Sequence, residues 1–251
     1  MSEEGKSQIT GGTWEVYSFL DETGQLAVVS FNMEAALEDR HSGLNTGARV
    51  IVNLPAQEVG SNGLPVDTAF ERLRRIEKHL IRSLEQGNLE CRLVGRKTAG
   101  GSQEFVFQLE DLRRFVDAIR PMLEKDTGYR TELQSQVGWE YFEHQIKPSP
   151  GNWQRIQDRK MLGELLGAGT DPGQAHLLRF TFLGQEKPLR QIEAALRKKG
   201  FAVEESEHDR LVLSKQSTLY PDLVFAVSAE LFDLSVSAGA RYLGWQAVPL
   251  K

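Results

Sequence analysis

Residues 89–109 read LECRLVGRKT-AGGS-QEFVFQL. Leu89–Thr98 and Gln103–Leu109 carry the β-branched and aromatic residues that suit strands. Ala99–Ser102 holds two adjacent glycines, the residues a tight hairpin turn needs. Working outward, the flanks on both sides change from a period of two to a helical period. Upstream, a helix is expected from near Pro65, a residue suited to a first helical turn. Its stripe is Val66, Ala69, Phe70, Leu73, Ile76, Leu80 and Leu84, and Gly87 and Asn88 stop it. Downstream, Glu110 and Asp111 open a second helix with Leu112, Phe115, Val116 and Ile119 on one side. Arg49–Leu54 (RVIVNL) lies before the first helix and Tyr129–Val137 after the second, and both read as strands. The order from Arg49 is thus βαββαβ, the ferredoxin-like split unit. Thr13–Leu20 and Gln25–Asn32, joined by the turn Asp21–Gly24, add a hairpin at the front. Met33–Gly47 is polar and gives no clear element.

The second half repeats the architecture without repeating the residues. Trp153–Leu166 reads as a helix with Trp153, Ile156, Leu162, Leu165 and Leu166 as its apolar members. Ala175–Leu183 is a strand with Leu178, Phe180 and Phe182 on one face. Pro188–Lys199 is a helix burying Leu189, Ile192 and Leu196, with Gly200 as a left-handed cap. Phe201–Glu205 and Leu211–Lys215 are strands around a polar turn. Leu219–Ala238 is a helix with Leu223, Val224, Val227, Leu231 and Leu234 inward, and Tyr242–Val248 is the last strand. The expected fold class is therefore α+β: two ferredoxin-like βαββαβ domains, the first with an extra N-terminal β-hairpin. Pro148, Pro150 and Gly151 mark the break, which gives domains 1–148 and 149–251.

Composition narrows the function. The 251 residues carry 30 Lys+Arg and 35 Asp+Glu, a net charge of −5, whereas a general nucleic-acid binder usually has a basic excess. One cysteine, Cys91, excludes an internal disulfide and a thiolate zinc site. Met1–Gly12 has no apolar core and does not read as a signal peptide, and no apolar run approaches the ~20 residues of a spanning helix. The cytoplasm is the expected compartment, with no membrane partner.

No catalytic pattern emerges. The histidines His41, His79, His144, His176 and His208 share no metal-ligand spacing. Cys91 lies in a strand with no partner base beside it. Gly60-Ser61-Asn62-Gly63 precedes a helix but lacks the lysine of a P-loop. Arg72, Arg74, Arg75, Lys78 and Arg82 share their helix with Glu71, Glu77 and Glu85, the mixed charge of a solvated face. Phe105 and Phe107 read as core and not as an RNA-stacking platform. No cofactor is implied. The most distinctive feature is aromatic: Trp14 and Tyr17; Trp139, Tyr141 and Phe142 in the connector Gly138–Pro148; Tyr242 and Trp245. These suit packing between domains or anchoring of a partner.

The second half resembles the RraB-like family, the bacterial regulators of ribonuclease E activity type B. The matching features are His176-x-x-x-Phe180, Gly200-Phe201, the helix before Gly169-Thr170-Asp171, and the ending Tyr242-Leu243-Gly244-Trp245, where the family has Tyr-Asp-Gly-Trp. The first half resembles a bacterial domain of unknown function found fused to such a regulator. The residues are Trp14-x-x-Tyr17, Gly95-x-x-Thr98-x-x-Gly101 and Trp139-x-x-Phe142 with Ile146 and Pro148. The resemblance implies a ferredoxin-like fold and a non-enzymatic role, since characterised regulators bind the endonuclease and inhibit RNA cleavage. It marks His176, Phe180, Tyr242, Gly244, Trp245 and Trp139 as partner-binding or family-pattern positions. Leu243 departs from the pattern, and so does the charge. Residues 139–251 hold 14 Lys+Arg and 14 Asp+Glu, so the acidic excess lies in residues 1–138, opposite to the acidic regulator.

The leading expectation is a protein-binding regulator of ribonuclease E-type cleavage. The alternatives are an immunity protein against an interbacterial toxin, which also works by charge-complementary docking, and an enzyme or small-ligand protein with a site in the interdomain cleft. Oligomeric state is left open.

Overall fold

The computed structural model describes residues 9–21, 23–37, 43–125 and 128–249. Internal contacts divide the chain into two units, Met1–Lys147 and Pro148–Lys251.

In the first unit, β1 (Trp14–Leu20) and β2 (Leu26–Asn32) form the leading hairpin. A short helix, α1 (Met33–Leu37), occupies part of the stretch that carried no sequence signal. Then come β3 (Thr46–Asn53), α2 (Asp67–Gln86), β4 (Cys91–Ala99), β5 (Ser102–Leu109), α3 (Leu112–Lys125) and β6 (Arg130–Val137). The sheet order is β1-β2-β4-β5-β3-β6, with every pair antiparallel. Its last four strands have the ferredoxin-like arrangement, and the hairpin extends the sheet beyond β4.

Alternation explains the core. Ala48 and Val50 of β3 lie opposite Phe107 and Phe105 of β5, and these four, with Val52 and Leu109, are fully buried. Leu73, Ile76, Leu80 and Leu84 of α2 and Phe115 and Ile119 of α3 pack in the same cluster. Phe105 and Phe107 are therefore core residues, as their spacing implies. The β4–β5 turn places Gly100 and Gly101 at φ +54° and +75°, the left-handed pair of a two-residue hairpin.

Two local expectations need correcting. Pro65 does not open α2; it pairs with Val59 in an isolated bridge, and the Val66 amide donates to Glu58 O. The helix starts at Asp67, so Val66 stands before it as an extended cap, and Val66 and Phe70 of the expected stripe are exposed (39% and 45%).

In the second unit, α4 (Pro150–Gly167) begins at Ser149, whose hydroxyl accepts from the Asn152 amide at 3.3 Å. The rest is β7 (His176–Leu183), α5 (Glu186–Arg197), β8 (Ala202–Ser206), β9 (Arg210–Ser217), α6 (Pro221–Ala238) and β10 (Arg241–Pro249). The sheet order β10-β7-β9-β8 is again ferredoxin-like and antiparallel. Leu178, Phe180 and Phe182 face Leu189, Ile192 and Leu196 of α5 and Val224 and Leu231 of α6. Gly200 closes α5 in a left-handed conformation at φ +82°. Leu223, expected inward, is 51% exposed, because the adjacent Val224 takes the core position in the first turn of α6.

Candidate functional site

The Tyr-x-Gly-Trp ending of β10 has an odd spacing. Residues three apart on a regular strand point to opposite faces. Here both aromatics point inward, because β10 is bulged between Tyr242 and Trp245: Tyr242 pairs with Phe182 and Trp245 with Phe180. Gly244 supplies the bulge at φ +100°, a conformation that L side chains rarely adopt. Tyr242 (6% exposed) and Trp245 (5%) thereby enter the helix-covered core.

Two aromatic polar groups arriving in a core need partners. The Trp245 indole N–H donates to Asp158 Oδ1 at 3.0 Å, and Gln154 Nε2 donates to the same oxygen at 2.8 Å. Ser228 of α6 bonds the Asp158 carboxylate and lies 3.4 Å from the Tyr242 hydroxyl. Asp158 is 2% exposed and Ser228 fully buried. Loss of solvation holds the Asp158 carboxyl above its usual range, opposed by these three hydrogen bonds. Burial likewise drives the Tyr242 phenol well above its usual value. The cluster joins α4, α6 and β10. Beside it lies a pocket of about 180 Å³ lined by Gln154, Arg155, Asp158, Phe232 and Asp233 among others. That is smaller than the roughly 300–1,000 Å³ of ordinary small-molecule sites.

The sequence-marked positions separate clearly. Phe180, Tyr242, Gly244 and Trp245 come together. His176 does not join them: it begins β7, is buried (4%), and places Nδ1 2.9 Å from Gln174 O. Four residues along a strand from Phe180 is roughly 13 Å. Trp139 lies in the other unit. Asp158 was missed. Its signal is positional: it sits four residues before the core residue Leu162 and four after Gln154, so a carboxylate occupies an inward helix position.

The aromatic connector belongs to the first unit. One turn of π-helix, Phe142–Ile146, lies on the sheet face opposite α2 and α3. Gly95 of β4 leaves room for it; a Cβ there would overlap the Ile146 side chain. The Tyr17 hydroxyl donates to Ile146 O at 3.0 Å, and the Trp139 indole donates to Leu44 O at 3.0 Å. The Arg49 guanidinium stacks 4.0 Å from the Tyr141 ring centre, and Tyr141 bonds Glu104. Trp14 stacks under Arg96 at 4.0 Å. Tyr17, Trp139, Tyr141 and Phe142 therefore cover the second sheet face of their own unit, and Trp14 packs against the helix-covered core.

Remaining candidates offer little chemistry. Burial pushes the Cys91 thiol up to about 12. His79, His144 and His208 are exposed, and His41 lies outside the described residues. Arg72 and Arg74 answer Glu58 and Glu71, and Arg96 answers Glu77. Among the described residues no three His, Cys, Asp or Glu side chains are grouped to hold a metal ion. No described helix is long and apolar enough to cross a membrane.

Residues 12–144, more than half of the chain, match the model of a family of unknown function, DUF695. The chain belongs to the DUF695 family. Behind its DUF695 region, residues 155–247 match the family described as regulator of ribonuclease activity B. The match starts three residues before Asp158 and ends two after Trp245, so it takes in Asp158, Ser228, Tyr242 and Trp245, while Gln154 stands one residue before it. No curated protein matches the chain. Among solved structures, the regulatory subunit of aspartate kinase from Thermus thermophilus is 10% identical, with 78% of this chain and 91% of that one covered and a TM-score of 0.21. An unknown protein from Galdieria sulphuraria is 9% identical, with 82% and 99% covered and a TM-score of 0.22.

Proposed function

We propose that this DUF695 chain is a cytoplasmic, non-enzymatic regulator of ribonuclease E-type RNA cleavage. In this reading it has two domains, 1–148 and 149–251, and the second docks on a protein partner. The observation that carries the reading is the match of residues 155–247 to the regulator family. The site chemistry is compatible with it. The residues of the family ending are spent on holding α4, α6 and β10 together, and the single thiol is buried and held protonated. The family-pattern residues then act by shaping the domain, and contact falls to exposed neighbours. Leu243, 44% exposed on the bulge where the family has Asp, offers an apolar contact in place of a charge. With 13 cationic and 12 acidic residues in 149–251, docking rests on shape and apolar area more than on net charge.

The test is capture of ribonuclease E, including its non-catalytic scaffold region, on the immobilised full chain, followed by an RNA-cleavage assay. Binding with slowed cleavage is expected, and Leu243→Lys weakens both without changing the melting temperature. Absence of both binding and inhibition at micromolar protein rejects the reading.

A further inference from the structure

The free edges of the two sheets are not alike. An open edge strand presents unpaired N–H and C=O groups and is usually blunted by bulges, shortness or charge. In the second unit, β10 is bulged, and β8 is five residues long, bulged and acidic. In the first unit, β6 pairs with β3 through eight consecutive positions without a bulge, and it has no further neighbour among the described residues. It contains no proline. At its end stands Val137, 86% exposed, the most exposed large apolar side chain among the described residues.

The charges on this edge are arranged head to tail. Val137 separates two grooves of about 400 and 570 Å³ that share Val137, Glu140 and His144. Neither lining contains a lysine or arginine, and both contain a carboxylate. The opposite end of the strand begins with Arg130, whose side chain is 81% exposed and whose nearest answer is Glu132 at 3.3 Å. Arg130 pairs opposite Asn53, on the sheet face where Arg49 meets Gln134 and where the Trp139–Ile146 turn lies. A cation at one end and an apolar, acidic groove at the other make the strand self-complementary. The remaining regular edge, β1, carries one carboxylate, Glu15, and its seven residues include no lysine or arginine.

We propose that β6 is a homodimer edge: a second copy of this chain adds its own β6 antiparallel across a two-fold axis. Each copy then sets Arg130 against the Glu140 side of its partner's groove, and Val137 is covered at both ends. Two-fold pairing makes every contact count twice, because the same patch is used by both copies. It extends the six-stranded sheet across both molecules and satisfies the open edge of each. The proposal concerns the DUF695 region and does not depend on the ribonuclease reading.

Light scattering on the full chain tests it, at about 100 µM, a concentration that also reports modest affinity. The expected mass is twice the 28.2 kDa of one chain. Arg130→Glu alone and Glu140→Arg alone each place like charges at both ends and give monomers. An equimolar mixture of the two variants restores the dimer, because every cross-contact is again attractive. No effect on folding can produce that restoration. A monomeric wild type overturns the proposal, as do single variants that remain dimeric or a mixture that stays monomeric. Binding of a different molecule at this edge by a monomeric chain overturns it as well.

Discussion

Removing the Asp158 carboxylate tests whether the Tyr-x-Gly-Trp ending of β10 is an architectural device. In Asp158→Ala, three donors lose their acceptor: Trp245 Nε1 at 3.0 Å, Gln154 Nε2 at 2.8 Å and the Ser228 hydroxyl. They do not suffer equally. Gln154 lines the adjoining pocket, so water replaces its partner. The Ser228 hydroxyl keeps the Tyr242 oxygen, to which it donates at 3.4 Å, as an acceptor. The indole N–H, on a side chain 5% exposed, is left buried without an acceptor. An orphaned buried donor costs about 1–3 kcal/mol. Relief from burying a carboxylate offsets part of this, so a net loss of about 1–2 kcal/mol is expected. For a unit of this size each kcal/mol lowers the melting temperature by roughly 4–8 °C. The assay is calorimetry of the full chain, in which the second unit's transition moves and the first unit's does not. The decisive comparison is a double-mutant cycle with Trp245→Phe, which removes the donor. Once the indole is gone, Asp158→Ala should cost less, with a coupling of about 0.5–3 kcal/mol. Additivity within about 0.5 kcal/mol would falsify the claim that this bond organises the site.

Three further outcomes follow from the same geometry. The folded-state carboxyl of Asp158 titrates above its ordinary 3.8, so between those values the native state holds more protons than the unfolded one. Its contribution is therefore full below the ordinary value and is lost as pH rises through the folded value; Asp158→Asn flattens this slope in urea titrations run at stepped pH. Gly95→Ala drives a methyl into Ile146 and should cost about 1–3 kcal/mol, and Ile146→Ala in the same chain recovers much of that loss; two unchanged melting curves would show that the connector does not rest on β4. Cys91, 8% exposed with its thiol near 12, should resist iodoacetamide at pH 8 until the first unit unfolds; rapid labelling of the native chain contradicts the packing described.

The sequence carried the two βαββαβ units because each strand and helix declares its period locally. Phe105 and Phe107 of the strand QEFVFQL and the α5 stripe Leu189, Ile192 and Leu196 are buried as their spacing implies. Helix starts were less legible. Pro65 and Leu223 looked helical and inward, but a first turn depends on what packs against it. The connector's aromatics lack a period, and only the sheet's second face shows what they cover.

What the residues alone determine is the inventory: a single cysteine, no metal spacing, an acidic first half and a neutral second, and the order of elements. Local periodicity and side-chain chemistry fix these, and no long-range contact is needed. The tertiary structure decides the rest. A bulge at Gly244 turns two aromatics three residues apart onto one face, where they meet an aspartate 87 positions away in the chain. Gly95 makes room for a turn that follows it by some fifty residues. Such pairings depend on register and packing between distant segments, and a linear pattern carries no measure of either.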